Sequence, residues 1–122
     1  MNLVDSSGWI EFFTAGPLSN KYAAYLKNSD NLIIPTIVIY EVYKKIKKWC
    51  SEEEALMAVA QMAKAEEVLL DEPLALFAAD VSIKYNLAMA DAIVYATAIQ
   101  KKSRLITSDE HFEGLPMVVL IK

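Results

Sequence analysis

The sequence predicts an α/β fold in which a mostly parallel sheet is covered by helices on both faces. Short apolar runs alternate along the chain with longer segments of helical periodicity. Alternating strands and helices build a parallel sheet, and its strands are wholly apolar because helices cover both of its faces. The composition agrees: 55% of the 122 residues are apolar, with only three glycines and four prolines. We expect one domain spanning residues 1–122.

The first half of the chain contains two predicted strands and four predicted helices. The strands are 2–5 and 32–34, and the helices are 6–13, 19–28, 36–49 and 51 to about 64. Ser6 or Ser7 is a candidate N-cap for the first helix and Ser19 for the second, because hydroxyls accept from free amides. Ser51 and Glu54 have the spacing of a capping box.

The second half contains three predicted strands and two predicted helices. The strands are 68–70, 104–107 and 117–121, and the helices are 74–85 and 90–102. Pro73 suits a first helical position. The helix at 90–102 is apolar nearly all round, which is typical of a buried helix, and Lys101 and Lys102 suit its carboxyl end.

The helix at 36–49 has a basic side. Val38, Val42, Ile46 and Trp49 form its predicted buried face, and Glu41, Lys44, Lys45 and Lys48 lie opposite. The net charge is −4, but residues 1–50 carry six lysines against four acids. The lysines are either a solvated helix face or an edge that contacts phosphates, and both interpretations stay open at this point.

Four carboxylates interrupt apolar segments: Asp5, Glu41, Asp91 and Asp109. Each has a local explanation, since Glu41 could pair with Lys45 and the three aspartates could cap helices. However, Asp5 and Asp109 follow predicted parallel strands, and the carboxyl ends of such strands share one edge. Carboxylates gathered away from water need compensating charge, and a divalent cation supplies it. The sequence therefore predicts a metal site suited to phosphate chemistry.

Other polar residues are weaker candidates. The hydroxyls of Ser6, Ser7 and Thr107 can support a metal-bound water. His111 is the only histidine, and a single histidine is more often at the surface than a ligand. Cys50 is the only cysteine, so no internal disulfide forms and a reducing cytoplasm is expected. No signal peptide is apparent, and the apolar stretches are too short or too interrupted to span a bilayer.

Four motifs occur in a characteristic order along essentially the whole chain: VDSS at 4–7, IYEV at 39–42, ADAIVYATA at 90–98, and LITSD at 105–109 followed by Phe112. They resemble those of the PIN domain family, and specifically the VapC-type ribonuclease toxins of type II toxin–antitoxin systems. One position departs from this pattern, because many relatives carry an acid where this chain has His111.

The resemblance implies a three-layer α/β/α sandwich, a homodimer, inhibition by a cognate antitoxin, and endoribonuclease activity that depends on Mg²⁺ or Mn²⁺. Asp5, Glu41, Asp91 and Asp109 would then be both the metal ligands and the catalytic groups, acting through a metal-activated water. Lys44, Lys45 and Lys48 would contact the RNA backbone. A PIN-like module that binds RNA or protein without cleaving remains the alternative.

Overall fold

A computed structural model describes residues 1–122 and contains one five-stranded parallel sheet. The strands are β1 (Asn2–Val4), β2 (Leu32–Pro35), β3 (Glu66–Val68), β4 (Arg104–Thr107) and β5 (Val118–Leu120). The helices are α1 (Ser6–Phe13), α2 (Ser19–Leu26), α3 (Thr36–Trp49), α4 (Glu52–Met62), α5 (Glu72–Tyr85) and α6 (Met89–Gln100), with short 3-10 helices at Ser29–Asn31 and Glu110–Phe112. The strand order is β3-β2-β1-β4-β5. The predicted α/β/α fold class is confirmed.

The third strand was predicted in the wrong place. It spans Glu66–Val68 instead of 68–70, and Leu69 and Leu70 are exposed beyond it. The reason lies in the neighbouring strand: Val68 pairs with Pro35, which is the last residue of β2 before α3 begins. Leu69 and Leu70 therefore have no strand partner.

Two predicted N-caps were also wrong. Asp5, and not Ser6 or Ser7, caps α1, because its Oδ1 accepts from the backbone N–H of Ser6 at 2.8 Å. Ser19 is the first residue of α2 and Leu18 precedes it without a side-chain bond. Asp5 has the better geometry because it is the extended residue between strand and helix, where a short carboxylate reaches the free amides.

The remaining helices begin and end close to their predicted positions. Ser51 Oγ accepts from the Glu54 N–H at 3.1 Å, which confirms the Ser51 half of the predicted capping box at the start of α4. Helix α6 is buried at every position from 92 to 98, as its apolar sequence predicted. None of the six helices is long and apolar enough to cross a membrane.

The α3 helix packs through Val38, Val42 and Ile46, as predicted, but Trp49 does not belong to that face. Its side chain is 64% exposed, because it is the last helical residue. The ring lies under Lys45, with Nζ 4.6 Å from the ring centroid. Trp49 is thus on the outer surface beside the lysines.

Gly8 allows α1 to approach its neighbours closely. A Cβ at this position would lie 2.4 Å from Cε1 of Tyr22 and 2.6 Å from Cγ1 of Val4. Tyr22 is fully buried and projects from α2. The small residue therefore fixes the distance between α1, α2 and the strand that leads to Asp5.

Candidate active site

Asp5 is held at the carboxyl edge of the central strands. Its backbone N–H donates to the carbonyl of Ile106 at 2.9 Å, which extends the pairing of β1 with β4. Its Oδ2 accepts from Thr107 Oγ1 at 2.8 Å, while Oδ1 caps α1. The residue is only 6% exposed. Burial raises the pKa of Asp5 to about 6, and the charges of Glu41 and Asp91 add to this increase. The hydrogen bonds from Thr107 and Ser6 act in the opposite direction and lower the pKa.

Glu41 reaches the same site from α3. Its carboxyl is half-buried, and burial raises its pKa. A hydrogen bond from the Ser6 hydroxyl and the charge of Lys45 lower that pKa, whereas the charge of Asp91 raises it. Lys45 nevertheless forms no ion pair with Glu41, since none of the four ion pairs of the structure joins these two residues. The local pairing weighed from the sequence is therefore absent.

Asp91 and Asp109 meet at the side chain of His111. Asp91 is in the first turn of α6, and Asp109 follows β4 and caps the 3-10 helix. His111 Nδ1 lies 3.1 Å from Asp109 Oδ1 and 3.5 Å from Asp91 Oδ2. One potential ligand atom from each of the three residues lies within 4.8 Å of the others. Burial and the charge of Asp109 raise the pKa of Asp91, and His111 lowers it.

Two of these acids act as caps, as the local alternative predicted. Asp5 and Asp109 do accept hydrogen bonds from backbone amides. Asp91 does not, because the N-cap of α6 is Ala88, which has no side-chain bond. Capping does not remove Asp5 or Asp109 from the site, since a carboxylate has lone pairs for several partners.

The four carboxylates are electrostatically linked. Asp5 experiences the charges of Glu41 and Asp91, and Asp91 experiences that of Asp109. No lysine or arginine pairs with any of the four, and His111 is the only basic side chain that does. Mg²⁺ and Mn²⁺ prefer carboxylate oxygens, and Asp91 and Asp109 place such oxygens within reach of one ion, whereas Asp5 and Glu41 lie outside that group. The residues present therefore fit such an ion.

The three predicted supporting hydroxyls occupy different positions. Thr107 is fully buried and donates to Asp5, and it also accepts from the Asp109 N–H at 3.0 Å. The Ser6 hydroxyl lies near enough to Glu41 to lower its pKa. Ser7 is exposed, and no hydrogen bond joins its hydroxyl to any of the four carboxylates; the Tyr22 hydroxyl bonds to that of Ser108.

A groove of about 310 Å³ opens beside Glu41. It is lined by Ser6, Ile10, Tyr40, Glu41, Lys44, Lys45, Lys48 and Trp49. The three lysines predicted to contact RNA are thus together on one wall. Lys47 is not among them, because its ammonium contacts Glu52 at 3.2 Å.

The PIN domain family model matches residues 3–116. This chain belongs to the PIN domain family. The match includes all four carboxylates and His111. Among curated protein sequences, none matches the chain.

Solved structures of similar fold include toxins of toxin–antitoxin systems. One chain of a toxin–antitoxin complex from Klebsiella pneumoniae is 26% identical to this chain, with a TM-score of 0.82 over 98% of this chain and 96% of that one. VapC20 of Mycobacterium tuberculosis, a toxin that cleaves the Sarcin-Ricin loop, is 15% identical, with a TM-score of 0.82 over the whole of both chains. VapBC2 of Rickettsia felis, bound to promoter DNA, is 16% identical, with a TM-score of 0.75 over 98% of this chain and 96% of that one.

Three residues of this PIN domain were not predicted for the site. His111 was predicted to lie at the surface, which its 78% exposed side chain confirms, but its ring also lies between two of the acids. Tyr40 belongs to the motif at 39–42 but was not predicted as a site residue, and Trp49 was predicted to lie on the buried face of α3. The spacing of Tyr40 to Lys44 and of Lys45 to Trp49, one helical turn each, was the available signal.

Proposed function

We propose that this PIN domain is a metal-dependent endoribonuclease and the toxin of a toxin–antitoxin pair. The observation that carries the proposal is the acidic cluster of Asp91 and Asp109 at His111, which forms no ion pair with lysine or arginine. Asp5 and Glu41 lie near enough for their charges to act on one another and on Asp91. Such a cluster is costly unless a cation compensates it. The fold shared with a toxin that cleaves the Sarcin-Ricin loop supports RNA as the substrate.

In this proposal the four carboxylates hold Mg²⁺ or Mn²⁺. When bound, the ion supplies an activated water and offsets charge on the phosphoryl oxygens. The protein's own groups orient the carboxylates: Thr107 and the Ser6 N–H fix both oxygens of Asp5. We assign the proton of the attacking water to Asp5 or Asp91, which would both border the ion.

Lys44, Lys45 and Lys48 contact the phosphate backbone of the RNA. They share the groove with Glu41, so a strand bound along them continues directly to the acidic site. The chain is acidic overall, but electrostatic attraction depends on the local potential and not on the sum. The lysines provide that potential on one wall.

The proposal includes a cognate antitoxin and a homodimer. Several relatives of the same fold are toxin–antitoxin complexes. Leu76 and Ile83 of α5 and Met89 of α6 are 63%, 83% and 74% exposed, so the single chain leaves apolar side chains uncovered. A partner surface would bury them.

Incubation of the purified protein with mixed RNAs tests this function. We expect cleavage with Mg²⁺ or Mn²⁺, none with EDTA, and none by an Asp91→Asn variant under any of these conditions. The matched control is Asp80→Asn, which removes an exposed carboxylate from α5 and should cleave normally. Full metal-dependent activity of Asp91→Asn would refute the assignment.

One observation favours a non-catalytic module. This chain has His111 where many relatives carry an acid, so it lacks a carboxylate that those relatives would supply. RNA binding without cleavage in either metal would establish that alternative. Cleavage that stops with EDTA would exclude it.

A further inference from the structure

We propose that Tyr40 and Trp49 are base-stacking positions that make the lysine groove selective for unpaired RNA. The inference deepens the proposed function by naming the form of RNA that the groove accepts, and it rests on RNA being the substrate. Its own observations are the exposure, position and lysine contacts of two aromatic rings.

Both rings are unusually exposed for their size. Tyr40 is 60% exposed and Trp49 64% exposed, whereas the other tryptophan, Trp9, is 3% exposed. Both line the groove that also contains Glu41 and Ser6. Large aromatic side chains left in water beside a functional site indicate a surface that binds a partner.

Each ring lies beside a lysine. Lys44 Nζ is 5.5 Å from the Tyr40 ring centroid and 3.3 Å from its hydroxyl, and Lys45 Nζ is 4.6 Å from the Trp49 centroid. The groove wall therefore combines ring faces with ammonium groups. Aromatic rings for bases and cations for phosphates are the combination by which proteins bind single-stranded nucleic acid.

The spacing of the rings suits a strand that crosses the groove obliquely. Tyr40 and Trp49 are nine residues, or about two and a half turns, apart, so they lie on opposite edges of the groove and about 13 Å apart along α3. At roughly 3.4 Å per stacked nucleotide, that length accommodates several nucleotides. Tyr40 precedes Glu41, so a base on Tyr40 brings the adjoining phosphate to the acidic site.

This chemistry favours unpaired RNA over duplex and over a protein partner. Bases in a duplex have both faces covered by their neighbours, so only an unpaired base offers a face to Tyr40 or Trp49. A protein segment in the groove would need acidic side chains opposite three lysines. A polynucleotide supplies one negative charge per nucleotide and an aromatic face with each.

The test is fluorescence titration of the full chain in EDTA, so that no RNA is cleaved. Because Trp9 is buried, quenching by a bound base reports on Trp49. We expect a short oligouridylate to quench the emission and a blunt RNA duplex of equal length not to. Binding followed by anisotropy of labelled oligouridylate should weaken at least about fivefold in Trp49→Leu and in Tyr40→Leu.

Two further variants separate stacking from the general loss of apolar surface. Trp49→Phe keeps a ring and should retain most of the oligouridylate affinity. Leu56→Ala removes an exposed apolar side chain from α4 and should bind as the unchanged protein does. Urea unfolding of each variant checks that the fold is retained.

Unchanged oligouridylate affinity in both leucine variants would overturn the inference, as would equal binding of duplex and single strand. Quenching by polyglutamate but not by oligouridylate would assign the groove to an acidic protein segment instead and would also overturn it. The two proposals can fail independently. RNA cleavage together with normal binding by both leucine variants refutes only the stacking positions. Weakened binding without any cleavage refutes only the nuclease.

Discussion

Replacing Asp5 by asparagine should stabilise the metal-free protein at neutral pH. The carboxyl is buried, and its pKa is raised from 3.8 to about 6. At about 1.36 kcal/mol per pKa unit, keeping Asp5 ionised costs the fold about 3 kcal/mol. Asparagine is uncharged and keeps an acceptor for the Ser6 N–H, although the bond with Thr107 is weakened at a cost of about 1 kcal/mol. We therefore expect a gain of about 2 kcal/mol at pH 7.

The pH dependence gives a sharper form of the same prediction. Because the folded pKa of Asp5 exceeds the unfolded one, the folded state binds more protons between pH 4 and about 6. The stability of the unchanged protein should therefore fall as pH rises through that window and level off above it. The variant lacks this contribution, so it should be slightly less stable than the unchanged protein at pH 4, where the weakened bond with Thr107 decides, and about 2 kcal/mol more stable at pH 7.

Urea unfolding in EDTA at several pH values, followed by circular dichroism, measures this difference. Asp80→Asn serves as the control because it removes an exposed carboxylate of α5. Its pH dependence should follow that of the unchanged protein. A stability difference between Asp5→Asn and the unchanged protein that is the same at pH 4 and pH 7 would refute the reasoning. Added Mg²⁺ or Mn²⁺ should stabilise the unchanged protein and not Asp5→Asn, by about 2.7 kcal/mol at one hundred times the dissociation constant.

Three further predictions concern the groove, the histidine and the packing of α1. Lys44→Ala combined with Lys48→Ala should lower the slope of log affinity against log salt by about 1.4 for single-stranded RNA, because two phosphate contacts are lost; an unchanged slope would assign these lysines to a solvated face. His111→Ala removes the imidazole that lowers the pKa of Asp91, so the acid limb of the pH–rate profile should move to higher pH. A limb that does not move would contradict that contact. Gly8→Ala should cost about 1–3 kcal/mol in urea unfolding, because the added Cβ would overlap Tyr22. An unchanged midpoint would show that α1 can shift away.

The order of strands and helices followed from periodicity, but some boundaries depended on tertiary contacts. The limits of α1, α3 and β4 matched the structure because apolar spacing and local turn residues determine them. The position of β3 did not, since both 66–68 and 68–70 are short segments and only the pairing of Val68 with Pro35 selects the first. A register set by a neighbouring strand has no local sequence signal.

The candidate site was predictable where residues follow strands and not where contacts cross elements. Asp5 and Asp109 were placed correctly at one edge by the logic of parallel strands. The bond from Thr107 to Asp5 joins residues 102 positions apart, so its partner could not be identified from the sequence. The same holds for His111, whose position between two acids depends on how the 3-10 helix turns back toward α6. Trp49 was misassigned because its helical spacing continues that of the core, although the helix ends there.

The pairing of β1 with β4 has a consequence during synthesis. Asp5 and Glu41 leave the ribosome before Thr107, which orients Asp5, and before Asp91 and Asp109. A nascent chain therefore carries two of the carboxylates without the groups that complete the cluster. For the ribonuclease proposed above, this order would delay activity until the segment that ends at Asp109 has been made.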